Sequence, residues 1–222
     1  METKKRNRVA TTQRIVNALE QILLDEGIQG ISMNAIAEKA AVSKMLIYRY
    51  FGGLEGLLEY YIRRGQLVPH FTPAWLEQLQ PVQPKDLAPF WSAHTIQLFR
   101  QFRQVRTARE LLKLSVKEAD SLAEVASRSL DAELTLLVNQ LAFIKGVDHQ
   151  AISAVIFGAL SYLTIQAQLN RPVIGLDMRS EAGWQRIEES VRVIYHALSK
   201  LAAESSSVQL LSKPANRVVQ EW

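Results

Sequence analysis

Side chains suited to binding a nucleic-acid backbone are concentrated in one short segment, KMLIYRYF at positions 44–51. If this segment is helical, one side carries two cations and two phenols, Lys44, Arg49, Tyr48 and Tyr50. The other side carries Ile47 and Phe51. Lys and Arg supply positive charge, and tyrosine hydroxyls donate hydrogen bonds to phosphate oxygens. These residue types therefore predict contact with a phosphate-rich surface.

The preceding residues predict the element that positions this segment, a short helix followed by a tight turn. Ser32 can cap a helix whose apolar residues recur at i, i+3, i+4 and i+7. These residues are Met33, Ile36, Ala37 and Ala40. In the turn, Val42 points to the core and Ser43 can cap the next helix. A helix-turn-helix of this kind lays its second helix in the major groove of DNA.

This stretch resembles the DNA-binding domain of the TetR family of bacterial transcriptional regulators. The resemblance covers roughly residues 10–60 and is carried by IAEKAAVS followed by IYRYF. It implies an all-α fold, with an N-terminal three-helix helix-turn-helix DNA-binding domain and a C-terminal helical ligand-binding and dimerisation bundle. It also implies that Lys44 and Met45 face base edges, while Ser32, Tyr48 and Tyr50, with Lys44, hold phosphates. The residues that we predict to bind DNA are Ser32, Ser43, Lys44, Met45, Tyr48, Arg49 and Tyr50.

Three residues depart from the family pattern. Ala41 stands where the family usually has a glycine, so the turn must either accept a positive φ at an alanine or tilt slightly. Leu46 stands where a small hydroxyl residue or glycine is common, which removes one phosphate donor. Leu54 replaces a lysine, and the loss of this cation lowers the expected salt slope of DNA binding by about one unit.

The composition excludes several kinds of site. The chain has 222 residues, 48% of them apolar, and a net charge of +4. It has no cysteine, so disulfides, thiolate metal sites and cysteine nucleophiles are excluded. The first residues, METKKRNRVATTQR, lack the apolar segment of a signal peptide, and no apolar run reaches the length of a membrane span. We therefore expect a cytoplasmic protein with no membrane partner.

Positive charge is concentrated at the N-terminus in Lys4, Lys5, Arg6 and Arg8. Such a cluster can be a flexible arm that lies along DNA phosphates or enters the minor groove. It can equally be a disordered tail that keeps the protein soluble. Both interpretations remain open at this point.

Almost every other segment has the apolar spacing of a helix, without a strand pattern or an internal repeat. The first helix is predicted to follow a cap at Thr11 or Thr12 and to close at Gly27. A proline-rich stretch, residues 69–84, predicts a loop with one helical turn. A long helix is predicted to begin at Ser121 with a capping box and to end at Gly146. Other helices are predicted from about Glu55 and over residues 87–102, 106–117, 148–170 and 180–204. We divide the chain into residues 1–54, the DNA-binding domain with its basic arm, residues 55–204, the effector-binding and dimerisation domain, and residues 205–222, a loose tail.

The last two helices predict a homodimer. Residues 148–170 are apolar nearly all round, and a helix that is apolar on every side must be buried on every side. Residues 180–204 place apolar side chains at alternating spacings of three and four, as in a coiled-coil seam. The predicted dimer interface consists of Ile156, Leu160, Trp184, Ile187, Val191, Ile194, Leu198 and Leu201. In the alternative interpretation, both helices serve only the core of one chain.

The helix over residues 87–102 supplies a candidate effector pocket. The predicted ligand-binding residues are Phe90, Trp91, His94, Leu98, Phe102 and Tyr162. Several aromatic rings around one neutral polar group, His94, suit a largely apolar molecule of drug-like size. The alternative is plain core with a partly buried histidine. The cations of the next stretch can bind an anion or, as we favour, form a solvated basic face; they are Arg100, Arg103, Arg106, Arg109 and Lys113.

No catalytic constellation stands out. The four histidines are far apart in sequence, none has metal-ligand spacing with a neighbour, and no glycine loop can cradle a phosphate. We predict neither a metal nor a cofactor. The sequence predicts a ligand-responsive transcriptional regulator, a repressor that leaves a near-palindromic DNA operator when a small-molecule effector enters its body. The alternatives are an activator, a regulator without an effector, or a helical-bundle small-molecule binding protein or enzyme that binds no operator.

Overall fold

The computed structural model describes the fold of residues 2–64, 86–118, 120–140, 143–144, 148–204 and 208–209. Its helices are α1 Glu2–Asp25, α2 Met33–Lys39, α3 Lys44–Phe51, α4 Leu54–Arg63, α5 Leu87–Gln104, α6 Arg106–Leu114, α7 Ser121–Gln140, α8 His149–Gln168 and α9 Glu181–Glu204. A short 3-10 turn, Gly27–Gly30, separates α1 from α2. The all-α fold class is confirmed. The proline-rich stretch lies outside the described residues.

Helix α1 is longer than predicted. It begins at Glu2, so the expectation of a cap at Thr11 or Thr12 was wrong, and Thr11 is instead buried inside the helix. The reason is that residues 2–10 contain neither glycine nor proline, so nothing in them interrupts a helix. The basic cluster therefore belongs to the first turns of α1 rather than to a flexible arm. The helix ends at Asp25, just before Gly27, which takes the positive φ of 74° that glycine adopts readily.

The turn between α2 and α3 is formed as predicted. The Ser32 hydroxyl oxygen accepts a hydrogen bond from the Ala35 backbone N–H at 3.1 Å, and that of Ser43 accepts one from Leu46 N–H at 3.3 Å. Both serines therefore cap their helices. Ala41 adopts a φ of 50°, so the turn keeps the left-handed geometry that the family builds with glycine. The serine caps are confirmed, and of the two alternatives for Ala41 the chain adopts the positive φ.

Helix α3 packs onto α4, and α1 packs against α6. Leu57, Leu58 and Ile62 of α4 are completely buried, and α4 itself packs along α7. A second connection joins the 3-10 turn to α6, where a Glu110 carboxylate oxygen accepts a hydrogen bond from the Ile28 backbone N–H at 3.3 Å. The two halves of the chain consequently share one apolar core.

Helix α7 differs from prediction at both ends. The cap of α7 is Asp120, whose carboxylate accepts hydrogen bonds from the backbone N–H groups of Leu122 and Ala123 at 2.9 and 3.4 Å, in place of the predicted capping box at Ser121. The helix stops at Gln140, short of Gly146. There the chain forms β1, Phe143–Ile144, which pairs antiparallel with β2, Val208–Gln209. The prediction that the chain has no strands was therefore wrong at these four residues. The predicted loose tail is likewise paired at Val208 and Gln209, where backbone hydrogen bonds satisfy the polar groups of the chain.

Helix α8 buries one side within its own chain and leaves the other exposed. Asp148 caps it by accepting a hydrogen bond from Ala151 N–H at 2.9 Å. Ile156 and Leu160 are only 7% and 5% exposed in the core of the single chain. Among the described helices, α8 alone is long and apolar enough to cross a membrane by length and composition. Its buried side and its cap belong instead to the helical bundle.

Four residues predicted for the dimer interface lie in the core instead. Besides Ile156 and Leu160, Trp184 and Val191 of α9 are each only 4% exposed. The Trp184 indole N–H donates to the Met178 carbonyl oxygen at 2.8 Å, which fixes the ring inside the chain. The interface prediction was wrong for these four residues because the bundle itself covers the side of α8 and α9 that carries them.

Two cations of the basic row of α5 and α6, Arg100 and Arg103, form contacts within the chain. Arg100 donates from Nε and Nη2 to the two carboxylate oxygens of Glu188, at 2.7 and 2.6 Å. Arg103 stacks on the Trp184 ring, 4.0 Å from its centroid. Hydrogen bonding to Arg100 and the surrounding positive charge lower the pKa of the buried Glu188 carboxyl. These contacts join α5 to α9.

The turn geometry predicts the effect of one substitution. At a φ of 50°, the Ala41 Cβ is strained and a glycine is not, so Ala41→Gly is expected to raise the free energy of unfolding by about 0.5–1 kcal/mol. Ala132→Gly, at an exposed position inside α7, should lower it by about 1 kcal/mol. Urea denaturation of the two variants and the parent measures both changes. Equal losses in both variants would contradict the left-handed turn.

Candidate nucleic-acid interface

Helix α3 projects its polar side chains away from the protein. Its one fully buried residue is Ile47, at 0% exposure, and Phe51 is half-buried beside it. On the opposite side Lys44 and Arg49 are exposed, Met45 is 77% exposed and Tyr48 is 57% exposed. The remaining predicted residues are also at the surface: Ser32 and Ser43 are exposed and Tyr50 is half-buried. The structure therefore brings all seven predicted DNA-binding residues to one end of the molecule.

Two glycines fix how α3 sits on its neighbours. A Cβ at Gly56 of α4 would overlap the Phe51 carbonyl oxygen, so only glycine lets α4 approach the end of α3 this closely. Gly53 has a φ of 131°, and a Cβ there would lie 3.4 Å from the Tyr48 ring. The Tyr48 ring therefore packs over the turn while more than half of its surface stays exposed. Both contacts hold the exposed face of α3 in a fixed direction.

The cap serines keep a hydrogen-bond donor for another group. Each hydroxyl oxygen uses a lone pair to accept the backbone N–H bond of its helix, which leaves its own O–H proton available. Ser32 and Ser43 also mark the N-termini of α2 and α3, where the helix dipole favours an anion. Two capped N-termini next to exposed cations can bind phosphate oxygens without rearrangement.

Tyr50 holds two cations on its ring, a feature that the sequence pattern did not reveal. The guanidinium carbon of Arg8 lies 5.3 Å from the ring centroid, and that of Arg49 lies 5.5 Å from it. Both distances are typical of cation–π contacts. Arg8 reaches Tyr50 because α1 extends past Ile15 towards the N-terminus. The sequence indicated this contact only through the spacing of seven residues between Arg8 and the buried Ile15, which places both near the same side of α1.

The chain matches one family model. Residues 15–61, which run from the buried part of α1 through α4, match the family described as bacterial regulatory proteins, tetR family. The match covers the helix-turn-helix and the residues that carry its exposed face. Residues 15–61 are therefore a DNA-binding domain of the TetR family. The chain is accordingly a DNA-binding transcriptional regulator.

Solved structures share the fold of most of the chain. A protein described as a TetR-family transcriptional regulator of Mesorhizobium loti is 18% identical, with a TM-score of 0.53, and the alignment covers 86% of this chain and 96% of that one. NalD, the secondary repressor of the MexAB-OprM multidrug efflux pump in Pseudomonas aeruginosa, is 17% identical with a TM-score of 0.53, covering 89% and 97%. The reduced form of Escherichia coli NemR is 18% identical with a TM-score of 0.52, covering 85% and 97%. No curated protein matches the chain.

The residues that we predicted to bind an effector do not lie together in one group. Phe90, Trp91 and His94 cluster near the start of α5, with the Phe90 ring centroid 4.7 Å from that of Trp91 and 4.1 Å from that of His94. The His94 ring nitrogen Nδ1 lies 2.8 Å from the Phe90 carbonyl oxygen. Leu98 and Phe102, by contrast, are 2% and 3% exposed in the core. Of the predicted ligand-binding residues, a pocket at the start of α5 can thus include Phe90, Trp91 and His94 but not Leu98 or Phe102.

Tyr162 is separated from this aromatic cluster. Its side chain is 54% exposed on the outer side of α8, beside the exposed Ala159 and Gly158. The expectation that it lines the same pocket therefore does not fit the single chain. Within the described residues, no three His, Asp or Glu side chains are grouped so as to hold a metal ion.

The Tyr50 contacts predict a difference between two substitutions. Tyr50→Phe keeps the ring under Arg8 and Arg49, whereas Tyr50→Leu removes it. We expect Tyr50→Leu to lower the slope of log Kobs against log salt for duplex DNA by about one unit, and Tyr50→Phe to leave it unchanged. Fluorescence anisotropy at several salt concentrations measures the slope. Arg8→Ala should reproduce the lower slope. If Tyr50→Phe lowers the slope as much as Tyr50→Leu does, the hydroxyl matters and the ring does not.

Proposed function

We propose that this regulator is a homodimeric repressor that binds a near-palindromic DNA operator and leaves it when an apolar small molecule binds. The observation that carries the proposal is α3: one side is anchored by the completely buried Ile47, and the other presents Lys44, Met45, Tyr48 and Arg49 to solvent. A fixed, basic helix face of this kind fits the major groove of DNA.

Each predicted contact residue has a role that its chemistry supports. Lys44, at the first turn of α3, is long enough to reach either a phosphate or a guanine edge. Arg49 and Tyr48 face outward farther along the helix, where a cation and a phenol suit phosphate oxygens. Ser32 and Ser43 offer O–H donors at the starts of the two helices. Tyr50 acts chiefly through the cations that stack on it.

The dimer interface that we propose differs in part from the one read in the sequence. Val155, Tyr162 and Leu169 of α8 recur every seven residues and are 72%, 54% and 46% exposed. Ile194 and Leu201 of α9 are 44% and 55% exposed. Apolar side chains this exposed on two consecutive helices of the chain indicate surfaces that a partner covers.

Small residues make this surface suitable for close helix packing. Ala154, Gly158 and Ala159 are exposed along the same helix as Tyr162, and a Cβ at Gly158 would meet no atom within 4 Å. A second copy can therefore approach the α8 backbone closely. We keep Ile194, Leu198 and Leu201 from the original prediction and add the exposed side of α8. A near-palindromic operator follows, because the symmetry of a dimer requires two equivalent half-sites.

Release from the operator requires the effector to change the distance between the two recognition helices. Successive major grooves on one side of DNA are about 34 Å apart, so a dimer whose α3 helices move from that spacing no longer fits. Two contacts can transmit such a change: the packing of α4 along α7 and the Glu110 carboxylate bound to Ile28 N–H. Both join the DNA-binding helices to the body.

The start of α5 is the site that we propose for the effector. Phe90, Trp91 and His94 are half-buried with their rings in contact, which suits a largely apolar ligand with few orienting hydrogen bonds. NalD, a repressor of a multidrug efflux pump, shares the fold, so the fold can carry such a role. We further propose that the protein acts in the cytoplasm, where bacterial DNA lies, and that it has no enzymatic activity.

Operator binding is tested with Lys44→Ala and Tyr48→Phe. Each is expected to weaken binding of labelled duplex DNA roughly five- to tenfold, since each removes one contact worth about 1 kcal/mol from an exposed position, without changing helical content. Arg128→Ala, an exposed cation of α7, is the matched control and should bind as the parent does. The duplexes come from a random library, at low and moderate salt. If the parent binds no duplex, the chain is a helical-bundle binding protein or enzyme instead. The proposed effector response is supported if apolar compounds release the bound DNA.

The proposed dimer is tested with Tyr162→Glu and Ile194→Glu. A carboxylate buried without a partner at the interface costs several kcal/mol, so both variants should sediment as monomers at micromolar concentration and lose operator binding together. Val116→Glu is the control, because Val116 is 62% exposed and lies outside α8 and α9, in the turn after α6. It should remain dimeric. A parent that is monomeric, or charged variants that stay dimeric, would refute this interface.

A further inference from the structure

Met45 is an exposed apolar side chain on an otherwise polar surface. It is the second residue of α3 and is 77% exposed, while its neighbours Lys44 and Ser43 are polar and exposed as well. The other large apolar residues of α3 turn inward, with Leu46 half-buried and Ile47 completely buried. Within the single chain, Met45 therefore contributes little to packing.

The position of Met45 determines what it can reach. In a helix-turn-helix the N-terminal residues of the second helix contact base edges in the major groove. The apolar group that the four bases offer there is the C5-methyl of thymine. A methionine side chain is unbranched and polarisable, so it can adapt its shape to a methyl group. The surroundings and the residue type thus agree.

The composition of α3 restricts the ways in which it can recognise an A·T pair. Bidentate recognition of adenine uses Asn or Gln, and recognition of the cytosine amino group uses Asp or Glu. The sequence KMLIYRYF contains none of these residues. Lys44 and Arg49 suit guanine instead. At an A·T pair facing the first turn of α3, Met45 can consequently recognise the thymine methyl by apolar contact.

We propose that Met45 reads the C5-methyl group of a thymine in each operator half-site. The inference rests on the proposed operator binding and adds to it the base that the first turn of α3 selects. The same contact accepts the methyl of 5-methylcytosine, because that group occupies the same position in the major groove.

The experiment removes only the methyl group. Duplexes are selected from a random library by the parent protein, and each thymine of the tightest one is replaced in turn by deoxyuridine. We expect one replacement per half-site to weaken binding roughly three- to tenfold, the effect of one buried methyl, and the others to have little effect. Met45→Ala should bind the thymine duplex more weakly and lose the sensitivity to that replacement.

Controls separate this contact from general effects. Val9→Ala changes another exposed apolar residue, 62% exposed on α1, and should keep the deoxyuridine sensitivity. Replacing the sensitive T·A pair by C·G should weaken binding, and 5-methylcytosine in that pair should restore part of it. Because Met45 is exposed, the alanine variant should melt at the same temperature as the parent.

The outcomes distinguish this inference from the proposed function. If the parent enriches no sequence and binds no duplex, operator binding fails and the reading of thymine fails with it. If a sequence is enriched but no deoxyuridine replacement weakens binding, only the role of Met45 is overturned. The same conclusion follows if Met45→Ala remains as sensitive to deoxyuridine as the parent.

Discussion

Burial of one side of α3 is the constraint on which the rest of the structure depends. A helix of eight residues has almost no stability in water by itself, so its neighbours must hold it. Ile47 supplies the buried anchor, and Gly56 lets α4 press against the Phe51 carbonyl. With one side fixed in this way, Lys44, Met45, Tyr48 and Arg49 are directed outward. The exposed polar face follows from the packing of the apolar one.

The same packing makes the DNA-binding helices part of a larger body. Tyr61 of α4 is 1% exposed, and burial raises the pKa of its hydroxyl to about 12. The Ile28 backbone N–H is held by Glu110, a residue 82 positions away. The effector response that we propose needs such connections, because a change in the body must reach α3 to affect DNA binding. In this chain the connections include the packing of α4 along α7 and the hydrogen bond to the Glu110 carboxylate.

Arginines take different roles according to their surroundings. Arg100 and Arg103 join helices of the body, one through the Glu188 carboxylate and the other also through the face of Trp184. Arg8 and Arg49 instead stack on one half-buried tyrosine and remain exposed. The first pair is therefore neutralised within the protein, whereas the second is available to phosphates. A count of cations along the sequence cannot separate the two cases.

What the sequence alone determined is local. The two serine caps and the inward direction of Ile47 were predicted correctly, because each depends on residues within one or two turns of the chain. For Ala41 the sequence left two turn geometries open, and the structure adopts the left-handed one. Which side of α8 is exposed, and which partner each arginine takes, could not be predicted. Arg100 meets its carboxylate 88 residues away, and Arg8 meets its aromatic ring only through the packing of α1. Periodicity states that a helix has an apolar side; only the tertiary structure decides what covers it, because that depends on how distant helices pack.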